Sequence, residues 1–334
     1  LSALLTWQIL RQRETETASV PIDKLGLALL IVGIGALQIM LDKGNDLDWF
    51  KSPDILALAI VAAVALAFFV AWELTEKHPI VDLHLFTRRN FLVGVATLSI
   101  GYLVFFGNVV ILPLWLQTQM GYTATWAGMA AAPIGVLAVF LSPLVGRNLH
   151  KIDLRVWASF SFIVFAAVSF WNSHFNTDVT FEQLVVPRFV MGLGVSTFFI
   201  PLMSLTLSEI PPKMMASAAG LSNFMRILAG SFGTSLSITL WDRRSTLHYS
   251  ELAEHVTAAA PTTQDMLTAM NHQGISAPAN YALLDHILQQ QAVMRATNEI
   301  FWLSGMIFLG LMLVVWAARP PRHAGSGAQG GGAH

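Results

Sequence analysis

Eight stretches of this sequence are long and apolar enough to cross a bilayer as helices: residues 24–41, 54–74, 91–117, 125–146, 154–172, 182–205, 216–241 and 298–318. A helical span needs about 20 mostly apolar residues, and it satisfies its own backbone donors and acceptors where no water can. The pattern predicts an all-α polytopic membrane protein surrounded by membrane lipid. Only 12% of the residues are charged, against about 25% in a soluble globular domain, so a soluble enzyme is excluded. A net charge of -1 argues against nucleic acid as a partner, because phosphate binding needs a basic excess. The chain has no cysteine, which rules out disulfides, thiol catalysis and cysteine-ligated metal.

The connections suggest an orientation. Residues 1–10 are apolar but too short to span, and they run directly into Arg11 and Arg13. A signal peptide has the reverse order of charge and apolar run. They read as the tail of a truncated span, in a chain that is a fragment, followed by a cytoplasmic loop at 11–23. With that loop inside the cell, Lys24, Lys77, Arg88, Arg89, Arg147, Lys151, Arg155, Lys213, Arg319 and Arg322 also fall on the cytoplasmic side. Lys43, Lys51, Arg243, Arg244 and Arg295 fall outside. Basic residues collect in cytoplasmic loops, so this orientation is the expected one. It makes 24–74 a pair of spans, 75–90 a second cytoplasmic loop and 91–318 a bundle of six. The long segment 242–297 becomes an outer loop of short amphipathic helices with breaks at Pro261 and Pro278. The tail 319–334, glycine-rich from Gly325, reads as disordered and cytoplasmic.

Arg188 and Arg226 lie within spans. An arginine there costs about 2.5–3.5 kcal/mol on insertion scales and usually faces protein or a water-filled cavity. Asn223, Arg226 and Gly230 share one helix face by their spacing of three and four. Gly230 and Gly233 leave room for close helix contact. That face reads either as the lining of a central cavity, with Arg226 assisting conformational switching, or as a packing seam. Tyr102, Phe105, Phe106 and Asn108 offer an aromatic group with one amide, suited to drug contacts or to packing alone. Pro133, Pro143 and Pro201 are expected kinks. None of the 20 acidic residues reads as clearly mid-membrane, where proton coupling needs an ionisable group. The histidines form no ligand set, no metal is expected, and no glycine-rich phosphate loop occurs.

Four stretches carry a family likeness: Leu37-Gln38-Ile39-Met40-Leu41-Asp42-Lys43-Gly44 with Leu47-Asp48-Trp49-Phe50; Pro79-Ile80-Val81-Asp82-Leu83 with Arg89-Asn90-Phe91; Gly121 to Gly128 with Ala132-Pro133; and Leu221-Ser222-Asn223-Phe224 with Arg226 and Leu228 to Ser235. They resemble the fourteen-span drug:proton antiporters of the major facilitator superfamily, and among these the EmrB-like exporters. The resemblance implies that the first two spans are linkers and the other six the C-terminal bundle. It implies proton-driven export of hydrophobic or amphipathic drugs by alternating access in the bacterial inner membrane, with no cofactor beyond the proton gradient. The implied partners are a periplasmic adaptor of the EmrA type, contacting the outer loop, and an outer-membrane channel of the TolC type. Gly146, Arg147, Lys151, Asp153 and Arg155 stand where the superfamily has a degenerate second cytoplasmic-loop motif, which implies gating by inter-helix ion pairs, and Arg188 joins them as a gating candidate. The family's proton-carrying groups would precede Leu1. Export of one defined metabolite, or a non-transporting membrane subunit, are the alternatives; a membrane-embedded enzyme would show clustered acids or histidines at one face.

Overall fold

The computed structural model describes residues 23–76, 81–257 and 259–320. The truncated tail expected at 1–10, nearly all of the loop 11–23 and the glycine-rich end lie outside them. The chain divides into two units, residues 1–40 with 47–83 and residues 41–46 with 84–334.

The first unit holds most of α1 (Lys24–Gly44) and all of α2 (Pro53–Glu73). Proline at the first helical position starts α2 without losing a backbone hydrogen bond. Gly33 lets the backbone come close to Leu66, which a Cβ would meet at 2.8 Å. The indole of Trp72 donates to Asp23 Oδ2 at 2.8 Å. Ile31, Val32, Ile60, Val64 and Phe68 remain exposed, as lipid-facing side chains do.

The second unit contains α3 (Arg89–Thr118), α4 (Ala124–Ala131), α5 (Pro133–Asn148), α6 (Leu154–Asn172), α7 (Phe181–Leu207), α8 (Met215–His255), α9 (Pro261–His272) and α10 (Ala279–Val314). The expected span 125–146 falls in Ala124–Asn148, a single spanning segment interrupted only at Ala132, where Pro133 begins α5 as its first residue. Pro143 and Pro201, by contrast, lie inside continuous helices. Helix α3 packs along α8, α7 packs against α5 and α6, and α10 lies between α6 and α8.

Two apolar cores occupy opposite ends. One gathers Phe162, Phe165, Phe198 and Phe308, with ring centres 5.1–6.4 Å apart. The other gathers Trp115, Leu116, Phe175, Leu184 and Phe301. Lipid tails are as apolar as these side chains, so close packing rather than escape from water holds such helices together. Small residues supply it: a Cβ on Gly233 would lie 2.1 Å from the Leu103 carbonyl oxygen, and one on Gly107 would lie 2.1 Å from Ser237 Oγ.

Among the described residues, seven helical segments are long and apolar enough to span, not the eight expected. The expected span 216–241 lies in α8, where Asn223, Arg226, Ser231, Thr234 and Ser235 dilute the apolar character. The helix that carries them packs along α3 and α10. The segment 242–297 also differs from a loop of separate short helices: α8 runs on to His255, α10 already starts at Ala279, and only α9 stands alone. Extending an existing helix avoids the cost of a new nucleus. The breaks do fall beside Pro261, the first residue of α9, and Pro278, which caps α10. Cross-links join α8 to α10 here: Arg244 pairs with Glu299 at 2.6 Å, His248 with Glu299 at 2.9 Å, and the Tyr249 hydroxyl donates to Asp285, while His248 also meets Glu251 of its own helix at 2.9 Å.

Candidate functional site

The glycine-lined approach of α8 to α3 sets Arg226 beside aromatic rings. Asn223 Oδ1 accepts from Arg226 Nη2 at 2.5 Å, one helical turn away. The guanidinium carbon lies 4.9 Å from the Tyr102 ring centre on α3 and 5.4 Å from that of Phe199 on α7. Cation–π contacts of this kind are attractive by about 0.5–2 kcal/mol. Tyr102 also stacks obliquely on Phe106 at 4.4 Å and meets Phe199 edge-on at 5.7 Å. Gly230 is buried beneath Tyr102, which a Cβ would meet at 2.7 Å.

These groups border a cavity of about 370 Å³ lined by Leu98, Phe199, Ile200, Met203, Ser204, Asn223 and Arg226. Its wall is apolar and aromatic, with one guanidinium and two further polar side chains. Such a surface accepts an apolar body by contact and orients it through few polar anchors.

The structure thus brings together Tyr102, Phe106, Asn223, Arg226 and Gly230 from the sequence candidates. Gly233 serves the same helix contact. Phe105 turns into the packed core, 5.6 Å from Phe165 and edge-on to Phe106. Asn108 lies elsewhere: it is 2% exposed, and its Oδ1 accepts from Ser304 on α10 at 2.8 Å. Its amide ties two helices and does not line this cavity. Phe199 and Met203 were invisible as site residues in the sequence; their spacing of four places them on one face of α7, a signal shared by any packing face.

Arg188 is 1% exposed on α7 and pairs with no carboxylate among the described residues. Its Nη1 contacts Met191 Sδ at 3.6 Å, the guanidinium carbon lies 5.9 Å from the Phe301 ring centre, and Nε and Nη2 have no hydrogen-bond partner among the described residues.

The basic loop motif divides. Asp153 caps α6 by accepting from the Arg155 backbone at 2.9 Å, and it binds the Arg155 guanidinium, with Nη2 to Oδ2 at 2.7 Å. Arg155 then reaches α10's end, with Nη1 3.3 Å from the Ala318 carbonyl and the guanidinium 4.9 Å from the Trp316 ring centre. Arg147, in the last turn of α5, is exposed, and Gly146 has open space where a side chain would stand. The same end of the bundle holds a junction that sequence reasoning did not single out: Asn90, fully buried, donates to Ser208 Oγ at 2.9 Å and to the Arg319 carbonyl at 3.1 Å, and accepts from the Arg319 amide at 2.6 Å.

Comparison with known proteins gives the family of the chain. The chain is 46% identical over 332 residues to the multidrug export protein EmrB of Escherichia coli (strain K12), covering 99% of the chain and 64% of that protein. It is 46% identical over 327 residues to the fatty acid resistance protein FarB of Neisseria gonorrhoeae, covering 98% of the chain and 64% of that protein. It is 47% identical over 319 residues to EmrB of Haemophilus influenzae, covering 95% of the chain and 62% of that protein. The chain therefore spans less than two thirds of the length of these relatives. The sequence pattern of the Major Facilitator Superfamily matches residues 26–234, and the chain, EmrB-like in sequence and all-helical in fold, belongs to that superfamily.

Proposed function

We propose that this chain forms the C-terminal bundle and linker helices of a multidrug exporter in the bacterial inner membrane, driven by the proton gradient and working by alternating access. The cavity beside Arg226 carries this reading: its aromatic and apolar wall suits hydrophobic or amphipathic drugs, and its guanidinium bridges α3, α7 and α8, the helices whose relative movement would open or close it. The names of the relatives, multidrug export and fatty acid resistance, support substrates with a large apolar body.

The distribution of basic residues supports a cytoplasmic C-terminus. It would put the Asp153–Arg155 clasp inside the cell, as a gating element, and the extensions of α8 and α10 outside. Those extensions with α9 would then meet a periplasmic adaptor of the EmrA type, which in turn engages an outer-membrane channel of the TolC type.

Expression of the full-length gene in a drug-hypersensitive strain, with and without a proton uncoupler, tests the activity. Uncoupler-sensitive drug resistance is expected; failure to restore resistance would favour export of one defined metabolite or a non-transporting subunit. Replacing residues 257–277 by a short Gly-Ser linker tests the adaptor contact while leaving the long helices whole. Unchanged co-purification of the adaptor would remove that assignment.

A further inference from the structure

A second cavity, of about 470 Å³, lies where α6 ends and α7 begins, at the opposite end of α7 from Arg226's partner Phe199. It straddles the end of two spans. Trp171 and Val186 line it from the apolar surface of the helices and are 49% and 47% exposed. His174, Asn176, Glu182 and Gln183 line it from the turn and from the first turn of α7. Tryptophan favours this depth, where its ring is in hydrocarbon and its N–H among headgroups.

The polar lining has a fixed sense. Asn176 Oδ1 accepts from the Asp178 amide at 3.0 Å, so the free part of its side chain is the NH2 group. Gln183 Oε1 accepts from the Thr180 amide at 3.0 Å within the capping box, which likewise leaves its NH2. His174 Nδ1 donates to the Phe170 carbonyl at 2.7 Å, leaving Nε2. The Trp171 indole N–H is a further donor, and Glu182 is the one carboxylate on the wall. Neither these free donors nor Glu182 meets a protein partner among the described residues. Three neutral donors beside one anion, next to an apolar wall, match a zwitterion whose phosphate accepts and whose ammonium donates.

We propose that this groove binds a phospholipid with a primary-amine headgroup, its phosphate held by Trp171, Asn176 and Gln183, its ammonium by Glu182, and an acyl chain along Trp171 and Val186. A quaternary choline has no N–H to give Glu182, and a glycerol headgroup has no cation. The inference is independent of the export reading and of which membrane face this end occupies.

The test uses the full-length gene product in nanodiscs of equal parts phosphatidylethanolamine, phosphatidylcholine and phosphatidylglycerol, with the lipids retained after detergent exchange measured by mass spectrometry. The ethanolamine lipid should be enriched about three- to tenfold over the choline lipid, the range that one ordinary hydrogen bond provides. Glu182→Gln should bring that ratio to unity without moving the thermal midpoint. Asp178→Asn, which neutralises an exposed neighbour that does not line the groove, should leave it unchanged. Asn176→Ala with Trp171→Phe should lower retention of all three lipids while keeping the amine preference. Equal retention of the three lipids by the wild type, or an amine preference surviving in Glu182→Gln, would overturn the proposal.

Discussion

Arg226 on α8 stands 4.9 Å from the centre of the Tyr102 ring on α3, while its own helix supplies the Asn223 amide oxygen that orients it. The contact needs the π face of the ring and not its hydroxyl. Tyr102→Phe should therefore keep drug resistance near the wild-type level, whereas Tyr102→Leu removes about 0.5–2 kcal/mol of attraction and should lower resistance several-fold. Arg226→Ala should abolish export at normal membrane abundance. Arg226→Lys should also fail, because an ammonium cannot hold Asn223 and two rings with one planar group. Drug susceptibility alongside quantified membrane protein checks all four; full export in Arg226→Ala would remove Arg226 from the mechanism.

The closeness of α8 to α3 rests on Gly233, whose missing side chain admits the Leu103 backbone. Backbone cannot swing aside as a side chain can. Gly233→Ala should cost about 1–3 kcal/mol by overpacking, seen as a lower thermal midpoint and lower abundance. Gly220→Ala on the same helix meets nothing within 4 Å, and should be neutral or stabilising through its better helix propensity. Equal behaviour of the two variants would contradict the close approach.

Those two residues also show what was legible in the sequence. Span positions follow from apolar run length alone, and α6 begins and ends where the run does, at Leu154 and Asn172. The shared face of Asn223, Arg226 and Gly230 follows from helical spacing. Its partners do not, because which helix lies opposite is a tertiary fact: nothing local in Phe199 or Tyr102 announces an arginine. Asn108 shows the converse, since a membrane-buried amide looks the same in sequence whether it faces a cavity or, as here, the Ser304 hydroxyl. Polar residues also concealed the length of α8, whose low apolarity ends the apparent span while the helix continues for more than three turns.

Beyond the span proper, Asp242 accepts from the Asn45 amide at 2.6 Å. Burial pushes its carboxyl up from the ordinary 3.8; the Asn45 hydrogen bond opposes this and the nearby Asp46 charge adds to it. The folded state thus holds this proton more tightly than the unfolded state. Its contribution to stability is fully present at low pH and is lost as pH rises from about 3.8 through the raised value. Asp242→Asn keeps an oxygen to accept from Asn45 and removes the charge. It should raise stability relative to wild type at neutral pH, with the difference vanishing below about pH 4. Chemical denaturation across that range measures it, and a difference independent of pH would contradict the assignment.

Arg188 separates stability from function most sharply. The residue is 1% exposed, with a thioether and a ring face as neighbours and, among the described residues, no hydrogen-bond partner for Nε or Nη2. Removing one member of a buried ion pair is costly because the other charge stays behind, but among the described residues no carboxylate is left behind here. Methionine has a similar flexible, unbranched shape and fills irregular space well. Arg188→Met should therefore raise stability, by up to about 1–4 kcal/mol, the gain seen when buried charges give way to apolar groups of like volume. If Arg188 serves gating, the same variant should lose export while melting at a higher temperature than the wild type. Thermal unfolding in detergent, paired with drug susceptibility, reads both quantities. A variant that melts lower would show that the buried charge is satisfied in the folded bundle, and one that melts higher with full export would free Arg188 of any part in transport.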